Sequence, residues 1–191
     1  MAKVVIVYHS GYGHTKKQAE AVHAGAAAVA GAQVETLAIN GDGLLPDEAW
    51  HTLAAADAIV FGSPTYMGMV SWQFKRFADA SSKAWFTQQW KDKLAAGFTN
   101  SASMNGDKHS TLHYFMTLAM QHSMLWVGTG LMPSNSKAAT REDINYVASF
   151  AGAMAATPSD ASVDEMVEGD LKTARLFGAR VAQQAARLAA R

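Results

Sequence analysis

The chain has 191 residues, no cysteine, and sixteen basic against sixteen acidic side chains, so it is long enough for one domain and has no net field to hold nucleic acid or an anionic membrane. The lack of cysteine removes disulfide scaffolds, thiol nucleophiles and thiolate metal sites, and suits a reducing cytoplasm. No apolar run reaches the roughly 18 residues of a membrane span, and the start, MAKVVIVYHS, lacks the longer apolar stretch and cleavage site of a signal peptide. We expect one cytoplasmic domain over residues 1–191, with neither nucleic acid nor membrane as a partner.

Val4 to Tyr8 is a continuous β-rich run, the mark of a central strand buried on both faces of a parallel sheet. From His14 to about Ala30, apolar residues at Ala19, Val22, Ala26 and Val29 keep helical spacing, and Gly31 suits the position after the helix. QVETLAIN interleaves apolar and polar residues as a less buried edge strand does, and LPDEAWHTLAAA follows as a short helix with Asp47 and Glu48 in its first turn. DAIVFGSP, LAAGFTNS and MLWVGTG read as three further strands, separated by the helices SWQFKRFADASS and DKHSTLHYFMTLAMQH. Residues from about 128 to 165 are rich in Gly, Ser, Thr and Ala without a clean period, and form a long excursion before the closing helix EGDLKTARLFGARVAQQAARLAAR. Strands alternating with helices imply a parallel, doubly wound α/β sheet.

In such a sheet, ligands bind outside the carboxyl ends of the strands. Three segments rich in Gly, Ser, Thr, Asn and Pro fall there: SGYGHT, GSPTYMGM and TNSASMNGD. The first joins a strand to a helix, where unpaired N–H groups and the helix dipole favour an anion, although a plain tight turn uses the same residues. It is not GxxxxGK[ST], because His14 follows its second glycine, nor GxGxxG, because Lys16 stands at the third glycine position. Ser10, Thr15, His14 and the amides around Gly13 suit a monophosphate.

Together SGYGHT, GSPTYMGMVSWQFKRFAD, Trp85, FTNSAS and QHSM resemble, in order and spacing and over nearly the whole chain, the tryptophan-repressor-binding-protein-like NAD(P)H:quinone oxidoreductases, FMN-dependent members of the flavodoxin-like superfamily. The resemblance implies a five-stranded parallel sheet in the order 2-1-3-4-5 with helices on both faces, FMN as cofactor, NAD(P)H as electron donor, a small quinone as acceptor, and a homodimer or homotetramer. Carried over by position, Ser10, Tyr12, Gly13, His14 and Thr15 would hold the FMN phosphate. Pro64, Thr65, Tyr66, Met67 and Gly68 would line one edge of the flavin ring, and Asn100, Ser101, Ala102, Ser103 and Met104 the other. His122 would act at the ring as the catalytic residue, with Tyr12 near the nicotinamide and Trp85 over the quinone.

Alternatives from other classes are a flavodoxin-type one-electron carrier, an NADPH-dependent FMN reductase, and a non-redox receiver-type module. A carrier is typically acidic, unlike this chain. A receiver needs an aspartate at the end of the third strand, where Gly62 and Ser63 stand. His109 and His113 have the i, i+4 spacing of a metal pair but only Asp107 nearby, so no metal is expected. Ser10 with His14 lacks an acidic residue in the loop to orient the imidazole, against a hydrolase. Met116, Met120, Met124 and the tryptophans other than Trp85 read as packing, and His122 could equally cap the end of its helix.

Overall fold

The computed structural model describes residues 1–190 as an open, parallel sheet with helices on both faces. In chain order the elements are β1 (Ala2–Tyr8), α1 (His14–Ala27), β2 (Ala32–Ala38), α2 (Asp47–Ala54), β3 (Ala58–Tyr66), β4 (Met69–Val70), α3 (Trp72–Ala80), α4 (Ser82–Phe86), β5 (Leu94–Ser101), α5 (Lys108–Gln121), β6 (Leu125–Trp126), β7 (Ala153–Ala156) and α6 (Glu168–Ala189). Strands lie side by side as β2-β1-β3-β5-β6, with β7 also on β5 and β4 forming a hairpin with β3. That is the expected order, shifted in numbering by the small hairpin strand. The last residue of the expected closing helix, Arg191, lies outside the described residues.

Side-chain alternation divides the apolar residues between two layers. Val4, Ile6, Val60, Ala96 and Phe98 face α1 and α6, while Val5, Val7, Ile59, Phe61 and Ala95 face the side built from α2, α3, α4 and α5. The second layer is aromatic, with Phe61, Phe74, Phe77, Trp90 and Phe115 in mutual contact. In the first layer α1 and α6 approach until backbone touches backbone. A Cβ on Gly178 would collide with the Val22 carbonyl and one on Gly25 with that of Arg175, so glycine is required at both crossings. The expected edge position of the second strand also holds: β2 is paired on one side only and has no fully buried residue.

Two elements differ from the sequence reading. The fifth strand is not the run MLWVGTG but two pieces of one parallel edge strand: β6 pairs Leu94 and Ala95, and β7 pairs Phe98 through Ser101 further along the same partner. Residues 127–152 are therefore an insertion within a strand, and β7 lies inside the expected excursion. Four short alanine- and methionine-containing residues, AMAA, carry too little periodicity to be told from a loop. The helix expected over SWQFKRFADASS also breaks at Ser81, which ends α3 and begins α4.

Candidate functional site

The carboxyl ends of β1, β3, β5 and β7 surround a cleft of about 320 Å³ lined by Tyr12, His14, Thr15, Pro64, Thr65, Tyr66, Asn100, Ser101, Ala102, Thr157 and Ser159. Its floor is rigid. The Thr65 hydroxyl stands 2.8 Å from both the Thr99 and Thr111 hydroxyls, all three side chains being buried.

One end of the cleft is built for an anion. Gly13, at φ +94°, turns the chain into α1, and a Cβ there would also meet Val163. Ser10 Oγ accepts hydrogen bonds at 3.1 Å from the Gly13 and Lys16 N–H groups and so braces the turn. Among the described residues, the N–H groups of Gly11, Tyr12, His14 and Thr15 have no acceptor, and neither does the Thr15 hydroxyl, although Thr15 is only 2 % exposed. Four unpaired amides, a hydroxyl and the positive end of the dipole of a fourteen-residue helix thus lie in this one loop and first turn. His14 is differently employed: its Nε2 lies 2.9 Å from the Ala161 carbonyl and ties the segment after β7 to the loop.

The other end presents tyrosine rings beside an amide and hydroxyls. Tyr66 sits over Gly11, whose hydrogen occupies the place where a Cβ would collide with the phenol, and packs edge-on against Tyr12 with ring centroids 6.2 Å apart. Burial, with the neighbouring Tyr12 as a smaller cause, raises the Tyr66 pKa. The β3–β4 turn places Met67 and Gly68 both at positive φ, the backbone of a tight hairpin. Across the cleft, Asn100 Oδ1 accepts the Thr157 hydroxyl at 2.9 Å, which orients the amide and leaves Nδ2 without a partner among the described residues. None of the eleven lining residues is Asp or Glu.

Of the residues singled out from sequence, Tyr12, His14, Thr15, Pro64, Thr65, Tyr66, Asn100, Ser101 and Ala102 meet in this cleft. Ser10, Gly13, Met67, Gly68, Ser103 and Met104 belong to the loops that frame it without lining it. Trp85 and His122 are elsewhere. His122 caps the far end of α5, a helix of fourteen residues and thus about 21 Å long, whose first turn is the one beside the cleft. Its Nε2 is 2.9 Å from Ser81 Oγ, its ring packs at a tilt of 31° on that of Trp90 with centroids 4.2 Å apart, and burial pushes its pKa down to about 4. It is a neutral, packed histidine. Trp85 adjoins it and is 49 % exposed, and neither lines the cleft.

Thr157 and Ser159 were not anticipated, nor was Lys108, which braces the wall from behind. Each had a signal. ATPSDAS at the end of β7 resembles FTNSAS at the end of β5, an apolar residue giving way to hydroxyls at a strand end. Lys108 shares helical spacing with Thr111, Leu112 and Phe115, which places a cation on the buried face of α5. His109 and His113 lie on α5 with ring centroids 6.4 Å apart, and no group of three metal-ligating side chains occurs among the described residues.

A doubly wound parallel sheet with a helix-terminus loop of unpaired amides and an open, acid-free cleft at its strand ends defines a flavodoxin-like protein. The family model for NADPH-dependent FMN reductase matches residues 3–138. Flavodoxin FldP of Pseudomonas aeruginosa (strain UCBPP-PA14) is 50 % identical over 183 residues, 96 % of either chain. An NAD(P)H dehydrogenase (quinone) of Geotalea uraniireducens (strain Rf4) is 37 % identical over 98 % of this chain and 99 % of its own. Among solved structures, a flavodoxin, WrbA-like protein from Agrobacterium tumefaciens superposes with a TM-score of 0.78 at 48 % identity, covering 98 % of this chain and 99 % of that one. The chain belongs to the NADPH-dependent FMN reductase family.

Proposed function

We propose that the cleft holds FMN and that the protein is an oxidoreductase passing electron pairs from NAD(P)H to a quinone. The observation that carries this reading is the pairing, in one cleft, of an unsatisfied anion loop with an acid-free wall of tyrosine rings, hydroxyls and an amide. The residues fit the group. The amides of Gly11, Tyr12, His14 and Thr15 and the Thr15 hydroxyl are free to take a phosphate at the α1 terminus. Asn100 Nδ2, without a partner among the described residues, offers a donor for the edge of a heterocycle.

Bound FMN would supply two-electron redox chemistry between a nicotinamide donor and a quinone. The chain's own residues orient and exclude. Tyr12, 79 % exposed, stands at the mouth where a second planar ligand, nicotinamide or quinone, can lie against it. The Thr65, Thr99 and Thr111 hydroxyls satisfy one another beneath the cleft, so its floor is set before a ligand arrives. Because no carboxylate lines the cleft, an added negative charge meets no repulsion there.

Trp85 and Phe86, 49 % and 82 % exposed, form an apolar face beside Gln121 and Ser123 at the opposite end of the sheet. We place the contact with further copies of this chain on that face, in a homodimer or homotetramer. His122 lies beneath it and in our reading holds Ser81 and Trp90 in place. No helix among the described residues is long and apolar enough to cross a membrane, and a nicotinamide donor suits a cytoplasmic setting.

A second reading, the one-electron carrier, is favoured by the name of the Pseudomonas relative. Against it stand the balanced charge of the chain and the lack of acidic side chains at the cleft, since a carrier docks by charge and must disfavour the second electron. Titration of the purified protein with FMN, followed by NADPH consumption with benzoquinone, tests the proposal. Flavin binding with quinone-dependent NADPH turnover is expected, and failure to bind FMN would remove it.

A further inference from the structure

Lys108, the first residue of α5, is 1 % exposed. Lysine is almost never so completely buried without a reason. Its Nζ donates to Ser101 Oγ at 2.8 Å, to the Ser103 carbonyl at 2.7 Å and to the Met104 carbonyl at 2.7 Å, so all three donors of the ammonium are used. Ser101 is itself part of the cleft wall, which puts a fixed positive charge one hydrogen bond behind the surface a ligand touches.

The charges that face Lys108 come from two other elements, Asp170 on α6 and Arg141 in the insertion. Those two neutralise each other: Arg141 donates to Asp170 Oδ2 at 2.6 Å, the same oxygen takes the Ala156 N–H at 2.9 Å, and Arg141 also donates to the Ala156 carbonyl at 3.1 Å. On its own element the neighbouring Asp107 is exposed. The trio thus keeps one net positive charge, beside a cleft with no carboxylate in its lining. Burial holds the Lys108 pKa down to about 8, which leaves the group mostly charged at neutral pH.

Neutral donors would tie the same loop without the cost of burying a cation. What a cation adds is selectivity for charge. Oxidised FMN that takes up two electrons and one proton gains one negative charge. We propose, resting on the reading that the cleft holds FMN, that Lys108 makes this cleft bind reduced FMN more tightly than oxidised FMN, and so raises the potential of the bound cofactor. Lys108 touches neither ligand nor reacting atoms; it acts through Ser101 and the 101–104 backbone.

The test compares dissociation constants of oxidised and dithionite-reduced FMN for the wild type, Lys108→Met and Lys108→Arg. The expected result is that Lys108→Met loses at least tenfold of the preference for the reduced form, about 30 mV for a two-electron couple, while Lys108→Arg keeps it. Wild type needs no variant to be informative: its preference should fall at least threefold between about pH 7.5 and about pH 9 as Lys108 loses its proton, and stay level in Lys108→Arg, whose guanidinium remains charged. If Lys108→Met does not fold, this pH series decides. Equal weakening of both forms in Lys108→Met, or a pH-independent preference in wild type, would reduce Lys108 to a brace and overturn the proposal while leaving the FMN site intact. Wild type that binds neither form would instead overturn the FMN reading, and this inference with it.

Discussion

Thr157 donates its hydroxyl to Asn100 Oδ1 at 2.9 Å across the ends of β7 and β5, and its N–H donates to the Ser101 carbonyl at 3.0 Å. The insertion within the fifth strand therefore returns to orient a side chain of the cleft. Removing only the hydroxyl, in Thr157→Val, keeps the backbone bond but frees the Asn100 amide to rotate. A loss of about 1 kcal/mol, or roughly fivefold in FMN affinity, is expected. Fluorescence titration with FMN measures it, and an unchanged constant would mean that Asn100 needs no orienting partner.

Thr15 is the one buried side-chain hydroxyl at the anion end without a partner in the described chain. A hydrogen bond to a charged acceptor contributes about 1.5–3 kcal/mol. Thr15→Val, close to isosteric, is expected to weaken FMN at least tenfold and riboflavin, which has no phosphate, hardly at all. Equal losses for both ligands would place Thr15 away from the phosphate. Circular dichroism should show an intact fold, because Val is tolerated in the first turn of α1.

His122 gives the protein a pH dependence that has nothing to do with the cleft. The Ser81 hydroxyl donates to the Ala78 carbonyl at 2.6 Å, so it accepts from His122 Nε2–H, and the buried Nδ1 has no partner. Protonation at Nδ1 would bury an unpaired charge, which is why the pKa falls from 6.5 to about 4. In the unfolded chain the imidazole takes up its proton near pH 6.5, while the folded chain resists until about pH 4. This contribution is thus whole above pH 6.5 and is lost as the pH falls through that window, up to about 3 kcal/mol. Urea denaturation across the window should show it. In His122→Gln stability at neutral pH should drop and the slope flatten; equal slopes in both proteins would contradict the assignment.

The sheet was legible because its central strands β1, β3 and β5 are strongly apolar runs and their ends carry glycine and hydroxyl residues. Val4 to Tyr8 could be nothing but a central strand, and the loops after β1, β3 and β5 announced the cleft they form. What escaped was the halving of the fifth strand, since AMAA has no pattern that separates it from its surroundings, and with it the contribution of Thr157 and Ser159. His122 and Trp85 were drawn to the cleft by resemblance alone. Helix geometry opposes that for His122 within one chain, because a residue fourteen positions past the cleft end of α5 must emerge at the far end of the sheet.

The Trp85 and Phe86 face leads to a further expectation. Two large apolar side chains exposed side by side on a helix end are costly to leave in water. Sedimentation of wild type at micromolar concentration should give a dimer or tetramer, and Trp85→Glu with Phe86→Glu should shift it toward monomer. An unshifted assembly would locate the interface elsewhere, and a monomeric wild type would remove the oligomer.

The measurement that bears most directly on the account is an anaerobic titration of the FMN-loaded protein with NADPH, read by flavin absorbance and followed by benzoquinone. An acid-free cleft beside the Lys108 ammonium should accept two electrons in one unresolved step at one equivalent of NADPH, and one equivalent of quinone should restore the oxidised spectrum. Two separated one-electron steps with a persistent radical, and no turnover of NADPH, would contradict it and make the protein a carrier.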